Sequence, residues 1–162
     1  MQLSVFSSAD EEITARQLGR PMRGVAGVAW RTADGTPGVL ATAPRLPDGT
    51  PFPTTYYLTL PELITEVSRL EASGIMAEMT ARLAEDAELA GVYQRAHQAY
   101  LADRAEIGAR LGLEVPEIAG ISAGGMPNRV KCLHALVAHS LAAGEGVNPF
   151  GDEALALIGF TR

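Results

Sequence analysis

The sequence predicts an α+β fold, a small N-terminal antiparallel sheet packed against four to five helices, and three observations carry the prediction. Short β-branched and aromatic runs, separated by turn dipeptides, are confined to the first 60 residues. Apolar residues at helical spacing then fill the middle of the chain. A Gly- and Pro-punctuated stretch follows, and helical periodicity returns near the end. With 162 residues the chain fits one domain, residues 1–162. That length buries roughly two thirds of the surface an unfolded chain would expose.

Taken in order, Ser8-Ala9-Asp10-Glu11 has the spacing of a capping box and predicts a short helix to about Leu18. Gly19 to Pro21 breaks it. Val25 to Arg31 reads as a small-residue strand that turns at Asp34-Gly35 into a second strand near Val39 to Thr42. Thr55 to Leu58 has the composition of a third. Thr59-Leu60-Pro61-Glu62 then combines a Thr cap with Pro in the first turn, and Leu63, Ile64, Val67 and Leu70 recur at helical steps until Gly74. A second helix turns Met76, Met79 and Leu83 inward. A third, of about 25 residues from Asp86, repeats Leu89, Tyr93, Ala96, Tyr100, Ile107 and Leu111. Gly112 to Gly125 is the one linker-like stretch, and a terminal helix opening at Pro127 carries Val130, Leu133, Leu136, Val137 and Leu141 as its core stripe.

Composition excludes several functions. The apolar fraction is 47% and no apolar run approaches the roughly 20 residues of a membrane span, so no membrane insertion is expected. The net charge is −6, and the whole acidic excess falls between residues 61 and 120, on helix faces read as solvated. No basic run exists to neutralise phosphates, so nucleic acid is not an expected partner. One cysteine forbids an intramolecular disulfide, and the opening Met1-Gln2-Leu3-Ser4-Val5-Phe6 is too short for a secretion signal. A cytoplasmic protein is expected.

Two segments hold most of the chemistry. In Gly124-Gly125-Met126-Pro127-Asn128-Arg129-Val130-Lys131-Cys132-Leu133-His134, a Gly turn before a helix would leave free amides and the positive end of a helix dipole, with Arg129 and Lys131 adding charge. Gly124, Gly125, Asn128, Arg129, Lys131 and His134 are therefore candidate contacts for a phosphate or carboxylate; the other reading is a tight turn with Arg129 in an ion pair. The spacing matches neither GxxxxGK[ST] nor GxGxxG. In Pro44-Arg45-Leu46-Pro47-Asp48-Gly49-Thr50-Pro51-Phe52-Pro53-Thr54, four prolines stiffen the loop, which either holds Arg45, Asp48 and Thr54 over a ligand or seats Phe52 in the core.

Cys132, His134 and His139 suggest a metal or a Cys/His nucleophile, but an unbroken helix opposes it. At about 100° per residue, Cys132 and His139 are about 20° apart yet some 10.5 Å apart along the axis, while His134 falls about 160° from Cys132. No metal and no cofactor are expected from that set. Cys132 alone is either a small buried hydrophobe or a thiol activated by its position near Lys131. His139 is either a packing residue or a base, and His97, between Tyr93 and Tyr100, reads as packed. Asp48, Cys132 and His139 are thus the candidate catalytic residues.

These same segments, with Tyr56-Tyr57-Leu58-Thr59, Ala138-His139, Gly146-Val147-Asn148-Pro149 and Gly151-Asp152-Glu153, resemble the actinobacterial family known as domain of unknown function 501. The resemblance runs over nearly the whole chain and implies a cytoplasmic actinobacterial protein with no activity to carry over. Some relatives place one or two cysteines where this chain reads Arg31-Thr32-Ala33-Asp34-Gly35, so a metal site built on them is incomplete here.

Two function classes follow. One is an enzyme or binder for a small anionic, phosphorylated molecule, with Asn148 and Asp152 at the rim of the site. The other is a non-catalytic adaptor that binds a partner protein through the Pro-rich loop and exposed aromatics; a protein partner or a homodimer is the expected assembly.

Overall fold

The structure, a computed structural model, describes residues 1–162. Helix α1 (Ser8–Leu18) starts one residue before the expected capping box: Ser7 Oγ accepts from the Asp10 amide at 3.1 Å and Asp10 Oδ2 accepts from the Ser7 amide at 2.9 Å. Asp10 has a second task. Its two oxygens take both Nη groups of Arg31 at 2.8 Å each, which ties α1 to the first strand. The guanidinium holds the Asp10 carboxyl well below the usual carboxylate range.

Strands β1 (Val25–Arg31), β2 (Pro37–Thr42) and β3 (Tyr56–Leu58) form one antiparallel sheet in the order β1-β2-β3. The β1–β2 turn closes through Thr32 O and the Gly35 amide, as the Asp34-Gly35 dipeptide predicts. Every residue of β2 is buried, because the central strand is covered on both faces.

Helix α2 (Pro61–Ala72) is capped by Leu60 without a side-chain bond; Thr59, the expected cap, instead gives its hydroxyl to Pro37 O. Helices α3 (Ile75–Glu85) and α4 (Ala87–Leu111) follow, the latter capped by Asp86, and a 3-10 turn at Pro116–Ile118 interrupts the linker. Helix α5 (Leu133–Ala143) runs through the middle of the molecule and touches α2, α6 and the sheet. Leu133, Leu136, Val137, Ala138, His139 and Ser140 are all buried, so it is covered on every side rather than along one stripe. Complete burial of Leu133 or Leu136 contributes roughly 1.5–3 kcal/mol each.

A sixth helix, α6 (Pro149–Ile158), was not among the elements expected individually. Asn148 caps it by accepting the Gly151 amide at 3.1 Å. Gly151 is needed for another reason: a Cβ there would meet Leu136 O at 2.2 Å, so only glycine lets α6 lie against α5. No helix is long and apolar enough to cross a membrane.

Candidate functional site

The helix expected to open at Pro127 is α5, which begins at Leu133, six residues later, and is followed by α6. Residues 124 to 132 form a compact loop. Gly124 and Gly125 both have positive φ, and a Cβ on Gly125 would meet Arg129 O at 2.7 Å. The Met126–Pro127 bond is cis. The amides of Asn128 and Arg129 donate to Gly125 O, those of Lys131 and Cys132 to Gly124 O, and that of Val130 to Thr80 Oγ1. The loop therefore consumes the donors that a helix opening at Pro127 would have left free, and the amide part of the expected anion site is absent.

The first free amide of the real helix is also taken. Glu71, in the last turn of α2, accepts the Leu133 N–H on Oε2 at 2.8 Å, a carboxylate at the positive end of α5. Its other oxygen lies 3.1 Å from His134 Nδ1. Ser68, one turn earlier on α2, places its hydroxyl 3.3 Å from His134 Nε2. Cys132 is the α5 N-cap with extended backbone, φ −145° and ψ 106°, so the separation of about 160° from His134 computed for an unbroken helix does not hold. Its sulfur, one Glu71 oxygen and one His134 nitrogen lie within 4.8 Å of one another.

Burial is the largest influence on Cys132 and opposes its ionisation, but the neighbouring His134 ring and the Ala135 amide, which approaches the sulfur without closing a full cap bond, together outweigh it; the thiol is held below its ordinary value. The same contact, against partial burial and with help from Glu71, raises His134. Sequence reasoning missed Glu71 and Ser68, which read as part of an acidic outer face.

Cys132 stands on the common wall of two clefts. One, about 560 Å³, runs between Pro53-Thr54 and the loop, and Gly124, Gly125, Asn128, Arg129 and Lys131 line it. The other, about 510 Å³, holds Cys132 and His134 opposite Tyr57, Leu58, Ile64 and Arg20. Thr54, Cys132 and Ala135 belong to both. Thr54 is positioned from behind: Thr42 donates to its carbonyl, Arg104 donates to Pro53 O, and Tyr100 Oη accepts the Thr55 and Tyr56 amides at 2.7 and 3.2 Å. Arg129 and Lys131 are exposed, and neither they nor Arg20 has a carboxylate in ion-pair reach; Arg20 donates to Tyr57 Oη at 2.9 Å.

The other expected residues lie elsewhere. Arg45 donates to Gly49 O and Glu114 O and pairs with Glu117 at 2.8 Å, so it closes its own loop and fastens it to the 3-10 turn. Asp48 accepts the Thr50 amide in an exposed turn. Neither lines the two clefts.

His139 is fully buried, stacked on Tyr56 with ring centres 5.8 Å apart and edge-on to Tyr100 at 5.0 Å. Burial pushes it down to about 4, and it shares no site with Cys132 and His134. Asn148, expected at a rim, is buried, its amide nitrogen 3.2 Å from His139 Nδ1. Asp152 pairs with Arg162 and accepts the Gly146 amide at 2.8 Å. His97 is buried against Ser122 at 2.7 Å.

Residues 28–156 match the family described as "Protein of unknown function (DUF501)". No curated protein and no solved structure matches the chain.

Proposed function

The chain belongs to that family, whose description names no activity, and from that premise we propose, on the site alone, that the paired clefts bind a small anionic ligand. One observation carries the reading: the two clefts share the wall of Thr54, Cys132 and Ala135, and cations without carboxylate partners flank both sides, Arg129 and Lys131 on one and Arg20 on the other. In a chain of net charge −6, cations that line a concave surface unneutralised favour an anionic occupant. Tyr57, Leu58 and Ile64 add an apolar wall, which suits a ligand with a phosphate or carboxylate on an apolar body. The side chains, rather than loop amides, supply the charge. The single cysteine, free in this fold, agrees with a cytoplasmic setting.

The test is calorimetric titration at low salt with phosphate, pyrophosphate and a nucleotide. Saturable binding by at least one is expected, and Arg129→Ala should weaken it by about 1.5–3 kcal/mol, the range for hydrogen bonds to charged groups. Arg129→Lys should restore only part, since an ammonium lacks the planar fork. The exposed Arg129 side chain makes no ion pair, so neither variant should lower the melting temperature. If none of the three binds, the adaptor reading takes its place.

A further inference from the structure

We propose that Glu71, Cys132 and His134 form a binding site for a borderline-soft divalent metal ion, zinc foremost. The donors are a carboxylate oxygen, a thiol sulfur and an imidazole nitrogen, a mixed O/S/N set that suits zinc and is foreign to magnesium or calcium. Their spacing fits. In a tetrahedral zinc site, bond lengths of about 2.0–2.1 Å to nitrogen and oxygen set the N···O edge near 3.3 Å, and the longer bond to sulfur sets its edges near 3.6 Å. His134 Nδ1 and Glu71 Oε1 are 3.1 Å apart, and no separation within the triad exceeds 4.8 Å.

The surroundings of the ligands point the same way. Each of the two nitrogen and oxygen donors has a partner on its far atom: Ser68 Oγ faces His134 Nε2, and the Leu133 amide donates to Glu71 Oε2. That leaves Nδ1 and Oε1 turned toward each other and toward the thiol, the arrangement by which outer-shell hydrogen bonds orient metal ligands.

Charge decides the donor types. The N-terminus of α5 repels a cation. A thiolate and a carboxylate together neutralise the ion, which a site built of histidines there would not. The proton released from the thiol goes to solvent as the sulfur bonds the metal. Three protein donors leave a fourth position, and Cys132 and His134 both line the cleft that Arg20 flanks, so water or a ligand anion would complete the sphere from that side. The inference stands apart from anion binding, because metal content is measured with no anion ligand present.

The experiment loads the purified protein with zinc under reducing conditions, removes the excess and measures metal by elemental analysis, beside a cobalt titration read by absorbance. One equivalent of zinc and a thiolate-to-cobalt charge-transfer band are expected. Cys132→Ser should abolish the band. Glu71→Gln, which keeps an acceptor for the Leu133 amide and so preserves the helix cap, should weaken zinc binding at least tenfold, and Ser68→Ala should do so about tenfold. Absence of zinc from the wild type would overturn the proposal. So would cobalt binding with no charge-transfer band, or zinc held equally by Cys132→Ser and Glu71→Gln. The cobalt readout on the wild type decides the matter even if a variant fails to fold.

Discussion

Acid should strip this protein of the stability that a neutral His139 provides as the pH falls from about 6.5 toward 4. The imidazole is completely enclosed by Tyr56, Tyr100 and Asn148, and its Nε2 has no hydrogen-bond partner. Burial lowers it from the ordinary 6.5 to about 4, with only Asp152 pulling weakly the other way. The sign follows from proton counting. Between pH 6.5 and 4 the unfolded chain holds a proton that the folded chain refuses, so the unfolding free energy falls as pH falls across that window. At about 1.4 kcal/mol for each tenfold change in proton activity, the loss is about 3 kcal/mol, a large share of the 5–15 kcal/mol by which domains are typically stable.

The assay is urea unfolding followed by circular dichroism at pH 7, 6, 5 and 4.5, on wild type and His139→Phe. Phenylalanine keeps the aromatic packing but deprives Asn148 Nδ2 of its ring acceptor, a pH-independent offset of about 1–3 kcal/mol. The stability of the wild type relative to the variant should therefore fall as pH falls, by up to about 3 kcal/mol, enough to cancel or reverse the offset. Asp10, held low by Arg31, destabilises both proteins equally in stronger acid and cancels. Parallel curves for the two proteins would refute the reasoning, because they would mean that His139 titrates alike in the folded and unfolded chains.

Two further outcomes test the fold around the clefts. Gly151→Ala should destabilise by about 3 kcal/mol, judged by its urea midpoint, since a methyl group 2.2 Å from Leu136 O forces α6 away from α5; a loss under 0.5 kcal/mol would mean that the two helices are not in such close register. Tyr100→Phe keeps the ring but leaves the Thr55 and Tyr56 amides without their shared acceptor, for a loss of about 1–3 kcal/mol. The same change should loosen the Thr54 wall, seen as faster hydrogen exchange at Thr55 and Tyr56, and unchanged exchange there would argue against Tyr100 as the anchor.

Elements written into short stretches of chain were legible. The 25-residue α4 follows from its cap at Asp86 and its apolar repeat, and β1 and its turn follow from composition and Asp34-Gly35. Errors arose where two local signals competed. Ser8 and Ser7 both begin a plausible capping box, and the partner that Arg31 requires, Asp10, serves as the N3 residue only when Ser7 is the cap. Gly125 followed by Pro127 imitates a helix start, but there the amides turn back onto Gly124 and Gly125, and the helix waits until Leu133. Asn148-Pro149 is a cap followed by a first-turn proline, the local signal for α6.

Hydrophobic period and turn chemistry depend on neighbours a few residues away, so the sequence by itself determined the α+β class, the order of most elements and the fact that Thr54 and Cys132 sit in unusual segments. Which side chains meet was decided by tertiary structure alone. Arg45 finds Glu117, 72 residues away, and is drawn out of the site; Glu71 crosses from α2 to cap α5 and reaches His134; and Cys132 swings beside that histidine because it lies one residue outside the helix. Nothing in the local pattern of Ser68 to Glu71 distinguishes a face that meets the start of α5 from a solvated one, since both are polar residues one turn apart on a helix. The packing of α2 against α5 makes the distinction, by bringing a carboxylate to the positive end of a helix where its charge is stabilised.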